Sequence, residues 1–157
     1  MVENNILARI AIKVDIEAIF DLRHHILRQG LPKDEAIFIG DNESTTYHFG
    51  AYWQDPTGNP IGNILGCATF ILNVWEQKPA YQLRGMATHT QFQGYGIGKE
   101  LLITAETIII LETNIHEFWC NARQSAIGFY KKLGWSIQSD IFLLRDEPHV
   151  KMYKLVQ

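Results

Sequence analysis

The sequence is poor in the residues that would simplify its reading. It has two cysteines, Cys67 and Cys120, in 157 residues. That is too few for a disulfide framework, and no CxxC pair suggests a zinc or thiol-redox site. No apolar run approaches the roughly 20 residues that cross a bilayer as a helix. Met1 to Ile12 lacks the basic start and long apolar stretch of a secretory signal. Fourteen Lys and Arg against 17 Asp and Glu give a net charge of −3, so the electrostatic footprint of a nucleic-acid or anionic-membrane binder is missing. The six histidines, at 24, 25, 48, 89, 116 and 149, form no HExxH pattern and argue against a metal site. Hydrophobic residues at 46% and charged residues at 20% match an ordinary globular chain. The length suits one domain over residues 1–157, and the expected setting is the reducing cytoplasm.

The patterning that is present alternates strand and helix signals. Leu7 to Lys13 reads as an opening strand, and Asp15 stands where a cap would begin a helix carrying Ile16, Ile19, Phe20, Arg23, Ile26 and Leu27 on one stripe. Gly30 to Pro32 end it. Residues 33–45 are polar and irregular, with room for one short helix. Tyr47 to Trp53 and Ile64 to Leu72 flank the turn-rich Asp55 to Gly62 and read as a hairpin. Tyr81 to Thr88 is a further strand, and its internal Gly85 suggests a bulge. From Gly96 the period becomes helical, with Ile97, Leu101, Ala105, Ile108 and Ile109 on one face. His116 to Cys120 reads as a strand. Asn121, with Gln124 three residues on, has the form of a capping box for a helix striped by Ala122, Ala126, Phe129 and Leu133 and ended by Gly134. Ser136 to Phe142 and His149 to Leu155 close the chain. The expected fold class is α/β, a mixed sheet of about six to seven strands with helices on both faces.

The turn Gln93-Gly94-Tyr95-Gly96-Ile97-Gly98-Lys99, between a strand and a helix, is suited to hold phosphate on backbone N–H groups at a helix N-terminus. It is not a dinucleotide GxGxxG, because Lys99 occupies the third glycine position. It is not a Walker A loop either, since Gln93 and Glu100 replace the first Gly and the Ser or Thr.

The stretch Leu83 to Leu102 (LRGMATHTQFQGYGIGKELL) resembles the central motif of the GNAT N-acetyltransferases, whose pyrophosphate loop reads Arg/Gln-x-x-Gly-x-Gly/Ala. Asn121 to Trp135 (NARQSAIGFYKKLGW) is similar to the family's next motif, and the two blocks have the family's order and spacing. The resemblance implies a splayed pair of parallel strands, Tyr81 to Thr88 and His116 to Cys120, with acetyl-CoA as cosubstrate and no metal. It implies cofactor contacts at Met86, Ala87 and Thr88, at Gln93, Gly94, Tyr95, Gly96, Ile97 and Gly98, and at Asn121. Lys99 adds a point charge or remains a solvated lysine. Tyr130 is implied as the acid that protonates the departing thiolate, against the plainer reading of a core aromatic beside Phe129. His149 is the first choice of base, because it opens the strand bordering the acceptor side; His24, His89 and Glu147 are the others. Cys120 reads as a buried hydrophobe rather than a nucleophile, which favours direct transfer in a ternary complex. The expected acceptor is a primary amine of a small molecule, peptide or protein. Neither nucleic acid nor membrane is an expected partner, and a homodimer is compatible. The other function class is a non-catalytic acyl-CoA sensor or partner-binding module. Arg23, Arg28, Arg84 and Arg123 are structural or surface ion pairs; if two converge on the acceptor pocket, a carboxylate or phosphate on the substrate follows.

Overall fold

The computed structural model describes residues 8–157. Leu7, the expected start of the first strand, and most of Met1 to Ile12 lie outside them. Strand β1 (Arg9–Val14) leads into helix α1 (Ile16–Leu27), and a 3-10 turn over Lys33–Ala36 follows. Strands β2 (Tyr47–Gln54), β3 (Pro60–Trp75) and β4 (Lys78–Thr88) form an antiparallel meander. The β3–β4 reversal uses Glu76 and Gln77, both at positive φ, the backbone form that keeps the twist of a two-residue hairpin. Helix α2 (Ile97–Thr113), strand β5 (Glu117–Arg123) and helix α3 (Ile127–Lys132) come next. Strands β6 (Ser136–Ile137), β7 (Phe142–Leu144) and β8 (Glu147–Leu155) end the chain.

The sheet has eight strands in the order β1-β2-β3-β4-β5-β8-β6, with β7 also on β8. The count exceeds the expected six to seven because the segment from Ser136 to Phe142 makes two separate short strands along β8. Among the described residues, only β4 and β5 run parallel. Side chains alternate across β3: Ala68 and Phe70 join the α2-side core with Leu101, Leu102 and Ile109, whereas Cys67 packs with Ile19 and Leu22 of α1. Both faces of the sheet are thus covered by helices.

Two sequence readings need correction. Asn121 does not cap a helix. It lies inside β5, where Asn121 pairs with Lys151 and the ladder to β8 continues to Arg123 and His149. Cross-strand pairing outweighs the local capping pattern, so Ala122 is a strand residue and the helical turn starts only at Gln124. Asp15 is the residue before α1 but makes no side-chain cap bond. The reading of Gly134 holds. It sits at φ +91°; its N–H donates to Lys131 O and that of Trp135 to Tyr130 O, the paired bonds of a Schellman ending.

The irregular segment 33–46 is fixed by a buried ion pair. Arg23, fully buried in α1, donates to both carboxylate oxygens of Asp41 at 2.7 and 3.0 Å, to Ala36 O at 2.9 Å and to Thr69 Oγ1 at 2.6 Å. The Asp41 carboxylate also accepts the Phe38 N–H at 2.7 Å. His48 closes the network, with its ring nitrogens 2.8 Å from Thr69 Oγ1 and 2.9 Å from Asp41 O. Removing one member of such a pair strands a charge in the interior. Asp41→Ala is therefore expected to lower unfolding free energy by about 3–5 kcal/mol, read from a urea or guanidinium denaturation midpoint; a loss below ~1 kcal/mol would rule out this role.

Candidate active site

The cleft of this molecule comes from a register fault. In β3–β4 the pairs Cys67–Ala87 and Thr69–Arg84 leave one extra residue on β4, a bulge at Gly85 and Met86. Gly85 stands at φ +63°, and a Cβ there would fall 2.6 Å from the Phe38 ring. Only glycine fits both constraints. Parallel pairing of β4 with β5 ends at Leu83 and Cys120, just before the bulge. Beyond it, β4 stays with β3 and β5 stays with β8, so their facing backbone edges separate.

A cleft of about 510 Å³ opens where they part. Its walls are the end of α1 (Leu27, Arg28), Phe38, β4 from Gln82 to Met86, β5 from Cys120 to Arg123, Tyr130, and the β7–β8 hairpin (Leu144, Arg145, Glu147, His149). The register sorts these by face. Cys120 and Ala122 belong to the α2-side core with Tyr130. Arg84, Asn121, Arg123 and His149 alternate to the opposite, α1 side. The cleft thus passes through the sheet from one face to the other.

Tyr130 is 7% exposed and packs between Phe129 and Trp135. Burial, together with the adjacent Cys120 thiol, raises its pKa well above 10, so the phenol keeps its proton at neutral pH. Burial pushes the Cys120 thiol up to about 12. A thiol so held is a poor nucleophile, in agreement with the reading of Cys120 as a small buried hydrophobe. His149 is also buried; its Nδ1 lies 2.8 Å from Glu147 O, and its ring stacks on Phe142. The Glu147 carboxylate is engaged by Arg123 Nε at 3.3 Å. Asn121 Oδ1 stands 3.5 Å from Lys151 Nζ.

The cleft therefore gathers Met86, Asn121, Tyr130, His149 and Glu147 among the residues singled out in the sequence. His24 Nε2 lies 2.7 Å from Leu31 O near the end of α1, and His89 accepts the Gln91 N–H at the loop after β4; neither lines the cleft. Ala87 turns its side chain into the α1-side core, leaving only its backbone on the freed edge, and Thr88 follows it as the last residue of β4.

The glycine turn lies beyond Thr88. Gln93, Gly94, Tyr95 and Gly96 are exposed; Gly94 and Gly96 are left-handed at φ +84° and +80°. Gly96 is the N-cap of α2, and Ile97 is the first helical residue, buried at 2% exposure. Space is open above Gly94, whereas Gly98 abuts the Phe129 ring, where a Cβ would come to 3.1 Å. Phe92 holds the turn's approach by packing against Trp53 and Tyr95. Lys99 is exposed on α2. Sequence reasoning missed Arg9: its Nη2 would lie 3.5 Å from a Cβ on Gly96, and its buried Nε has no hydrogen-bond partner. Nothing in the short β1 pattern marks it, because it meets the turn only through the sheet. Phe38 and Arg145 were missed for the same kind of reason, as both come from segments without periodicity. Among the described residues, no three His, Cys, Asp or Glu side chains gather as a metal cluster, and no helix is long and apolar enough to cross a membrane.

Comparison with known proteins agrees with this geometry. Residues 16–135 match the Acetyltransferase (GNAT) family. The chain is 28% identical over 151 residues to YitI, an uncharacterised N-acetyltransferase of Bacillus subtilis, covering 92% of this chain and 94% of that one. Among solved structures, a Lactobacillus plantarum protein assigned as an N-acetyltransferase superposes with TM-score 0.74 at 18% identity, covering 96% of this chain and 99% of the other. An aminoglycoside 6'-N-acetyltransferase complexed with coenzyme A superposes with TM-score 0.68 at 14% identity, covering 93% and 96%. The parted parallel strands, the glycine turn at the head of α2 and the family match over residues 16–135 lead to one conclusion: the chain belongs to the GNAT family of acyl-CoA-dependent acetyltransferases.

Proposed function

We propose that this chain transfers an acetyl group from acetyl-CoA to a primary amine by direct attack within a ternary complex. The observation that carries the reading is the parting of β4 and β5 with a protonated, buried tyrosine on the wall between them.

The residues fit such a cosubstrate. The free edge of β4 at Met86, Ala87 and Thr88 can pair with an extended amide-bearing arm as an added strand would. The α2 N-terminus and the amides of Gln93 to Gly98 present partial positive charge to a pyrophosphate, at roughly 0.3–1 kcal/mol per charge interaction. The Arg9 guanidinium beside Gly96 adds a full charge, with Lys99 available from the next turn. Gly94 and Gly96 hold a backbone form that L side chains rarely adopt. When bound, acetyl-CoA supplies an acetyl carbon whose bond to sulfur breaks as its bond to the amine nitrogen forms.

The chain's own groups then manage protons and charge. Tyr130 Oη donates toward the leaving sulfur, which takes up a proton as the carbon–sulfur bond breaks. Backbone N–H groups of residues 86–88 lie along the strand where a developing oxyanion would be met. Asn121 presents an amide from β5. His149 is the base, on the face opposite Tyr130, so that the amine's proton leaves on one side of the sheet and the sulfur's arrives on the other. Glu147, neutralised by Arg123, is less suited to that task. The Cys120 thiol stays protonated, leaving no covalent relay through the enzyme. An acyl-CoA sensor without turnover would have no use for a proton donor held on the cleft wall.

A thermal-shift titration with acetyl-CoA, with CoA, ATP and NAD as controls, tests the cosubstrate. Ligand at 100 times its Kd should stabilise the fold by about 2.7 kcal/mol, and ATP or NAD acting equally would overturn the assignment. Gly96→Glu should abolish the acetyl-CoA shift, because it sets a side chain and a negative charge at the anion site. Tyr130→Phe should lower kcat by about 10²-fold or more with little change in acetyl-CoA affinity; equal rates would mean that another group protonates the sulfur.

A further inference from the structure

Six arginines occur in a chain whose net charge is −3, yet four of them, Arg28, Arg84, Arg123 and Arg145, line one cleft. They arrive from four elements: the end of α1, β4, β5 and the β7–β8 turn. Two have carboxylate partners. Arg123 pairs with Glu147 at 3.3 Å, and Arg145 pairs with Glu35 at 3.4 Å. No carboxylate of the described residues pairs with Arg28 or Arg84. Arg28 donates only to the adjacent Leu27 O, and its buried Nε has no partner. Both guanidiniums lie over the Phe38 ring, at 5.5 and 4.6 Å from its centroid. The Asp41 carboxylate accepts the Phe38 N–H, and the Arg23 guanidinium lies 4.0 Å from the ring centroid.

Converging like charges in a cleft this size is unfavourable without a counter-charge. Burial and the neighbouring arginines lower the pKa of both Arg28 and Arg84. Glu35 partly offsets this at Arg28 and Asp41 does so at Arg84, but each of these carboxylates is already paired with another arginine. The cosubstrate's phosphates do not account for them. From Arg84 to Thr88 is four strand residues, about 13 Å at ~3.3 Å per residue, and the glycine turn lies further still. The arginines gather at the α1 face, opposite Tyr130, on the side that also holds His149.

We propose that the acceptor carries an oxyanion, a carboxylate or a phosphate, on the same molecule as its amine, and that Arg28, Arg84 and Arg145 hold it. This rests on the transfer reading above and deepens it. The guanidinium fork suits both oxyanions in bidentate fashion. Arg145 is the movable member, because it must exchange an exposed pairing with Glu35 for the substrate. With its anion fixed on the α1 face, the acceptor reaches its amine into the gap between β4 and β5, beside His149.

The test uses matched amines with the purified full chain and acetyl-CoA, following thiol release. Glutamate and γ-aminobutyrate carry carboxylates, phosphoethanolamine carries a phosphate, and butylamine and ethanolamine carry no anion. At least one anionic amine should exceed its anion-free counterpart in kcat/KM by about 10²-fold, and carboxylate or phosphate preference identifies the oxyanion. Arg84→Gln and Arg28→Gln should each erase most of that preference while leaving the acetyl-CoA thermal shift intact, which also shows that the variants fold. Equal kcat/KM with and without the anion overturns the proposal. If none of these amines is acetylated, glutarate and inorganic phosphate are titrated by thermal shift in the presence of CoA. A shift with either that Arg84→Gln removes supports the anion site, and no shift at millimolar concentration overturns it. Absence of any acetyl-CoA shift in the unmodified protein is a separate failure: it overturns the transfer reading itself, and the acceptor proposal with it.

Discussion

Arg23 has no solvent exposure, and its two terminal guanidinium nitrogens find their partners inside the protein, tying α1 to the 33–46 segment and to β3, while its Nε has no hydrogen-bond partner. Its guanidinium meets Asp41, Ala36 and Thr69, and the same Asp41 carboxylate takes the Phe38 N–H. A polar segment with no periodic apolar face thereby becomes a fixed part of the sheet's α1 side. The ion pair need not add net stability against an apolar alternative, since desolvating two charges offsets much of their attraction. What it supplies is position. The Phe38 ring is set 4.0 Å from the Arg23 guanidinium and lies 5.5 and 4.6 Å from those of Arg28 and Arg84. The same ring presses on Gly85, where β4 bulges. One buried pair therefore supports both the bulge that ends parallel pairing and the platform carrying the cleft's unpaired cations.

Division of labour between the two faces of the sheet follows from strand alternation. Residues 118, 120 and 122 of β5 point to the α2 side and are apolar and buried. Residues 119, 121 and 123 point to the other side and are amphipathic or polar. A gap between β4 and β5 is therefore flanked by a dry wall with Tyr130 and a charged wall with arginines. On the transfer reading proposed above, the dry wall holds the proton donor and the charged wall holds the counter-charges for an anionic acceptor.

Legibility in the sequence tracked the range of the interaction concerned. The strand-to-helix glycine turn, the burial of Cys120 and the Gly134 helix ending were readable because each depends on a few neighbouring residues and a change of period, whereas Tyr130, which lines the cleft, was singled out by the family resemblance. The bulge at Gly85 was readable as an irregularity, though not as the cause of the cleft. Asn121 was misread because NARQ satisfies a local capping pattern; the competing ladder to β8 involves Lys151, 30 residues away. Arg28, Arg84 and Arg123 were visible as residues, but their convergence was not, and Arg145 escaped notice. Their meeting depends on where the 33–46 segment and the β7–β8 turn settle, and neither has a period to follow. The pairing of Arg145 with Glu35 spans 110 positions of chain, a separation no local pattern reports.

The β7–β8 hairpin closes through two residues only, Arg145 and Asp146, both left-handed at φ 49° and 61°. A turn this short admits no slack in length. Its pairs, Phe142 with His149 and Leu144 with Glu147, put alternate side chains on the cleft wall while Leu143 faces solvent at 73% exposure. Inserting one residue before Arg145 would exchange the two sets, carrying Leu143 inward and swinging the guanidinium outward. The chain could keep its glycine turn and its tyrosine and still lose one of the four arginines from the cleft wall. Spacing in this hairpin thus sets which of its side chains reach the cleft wall.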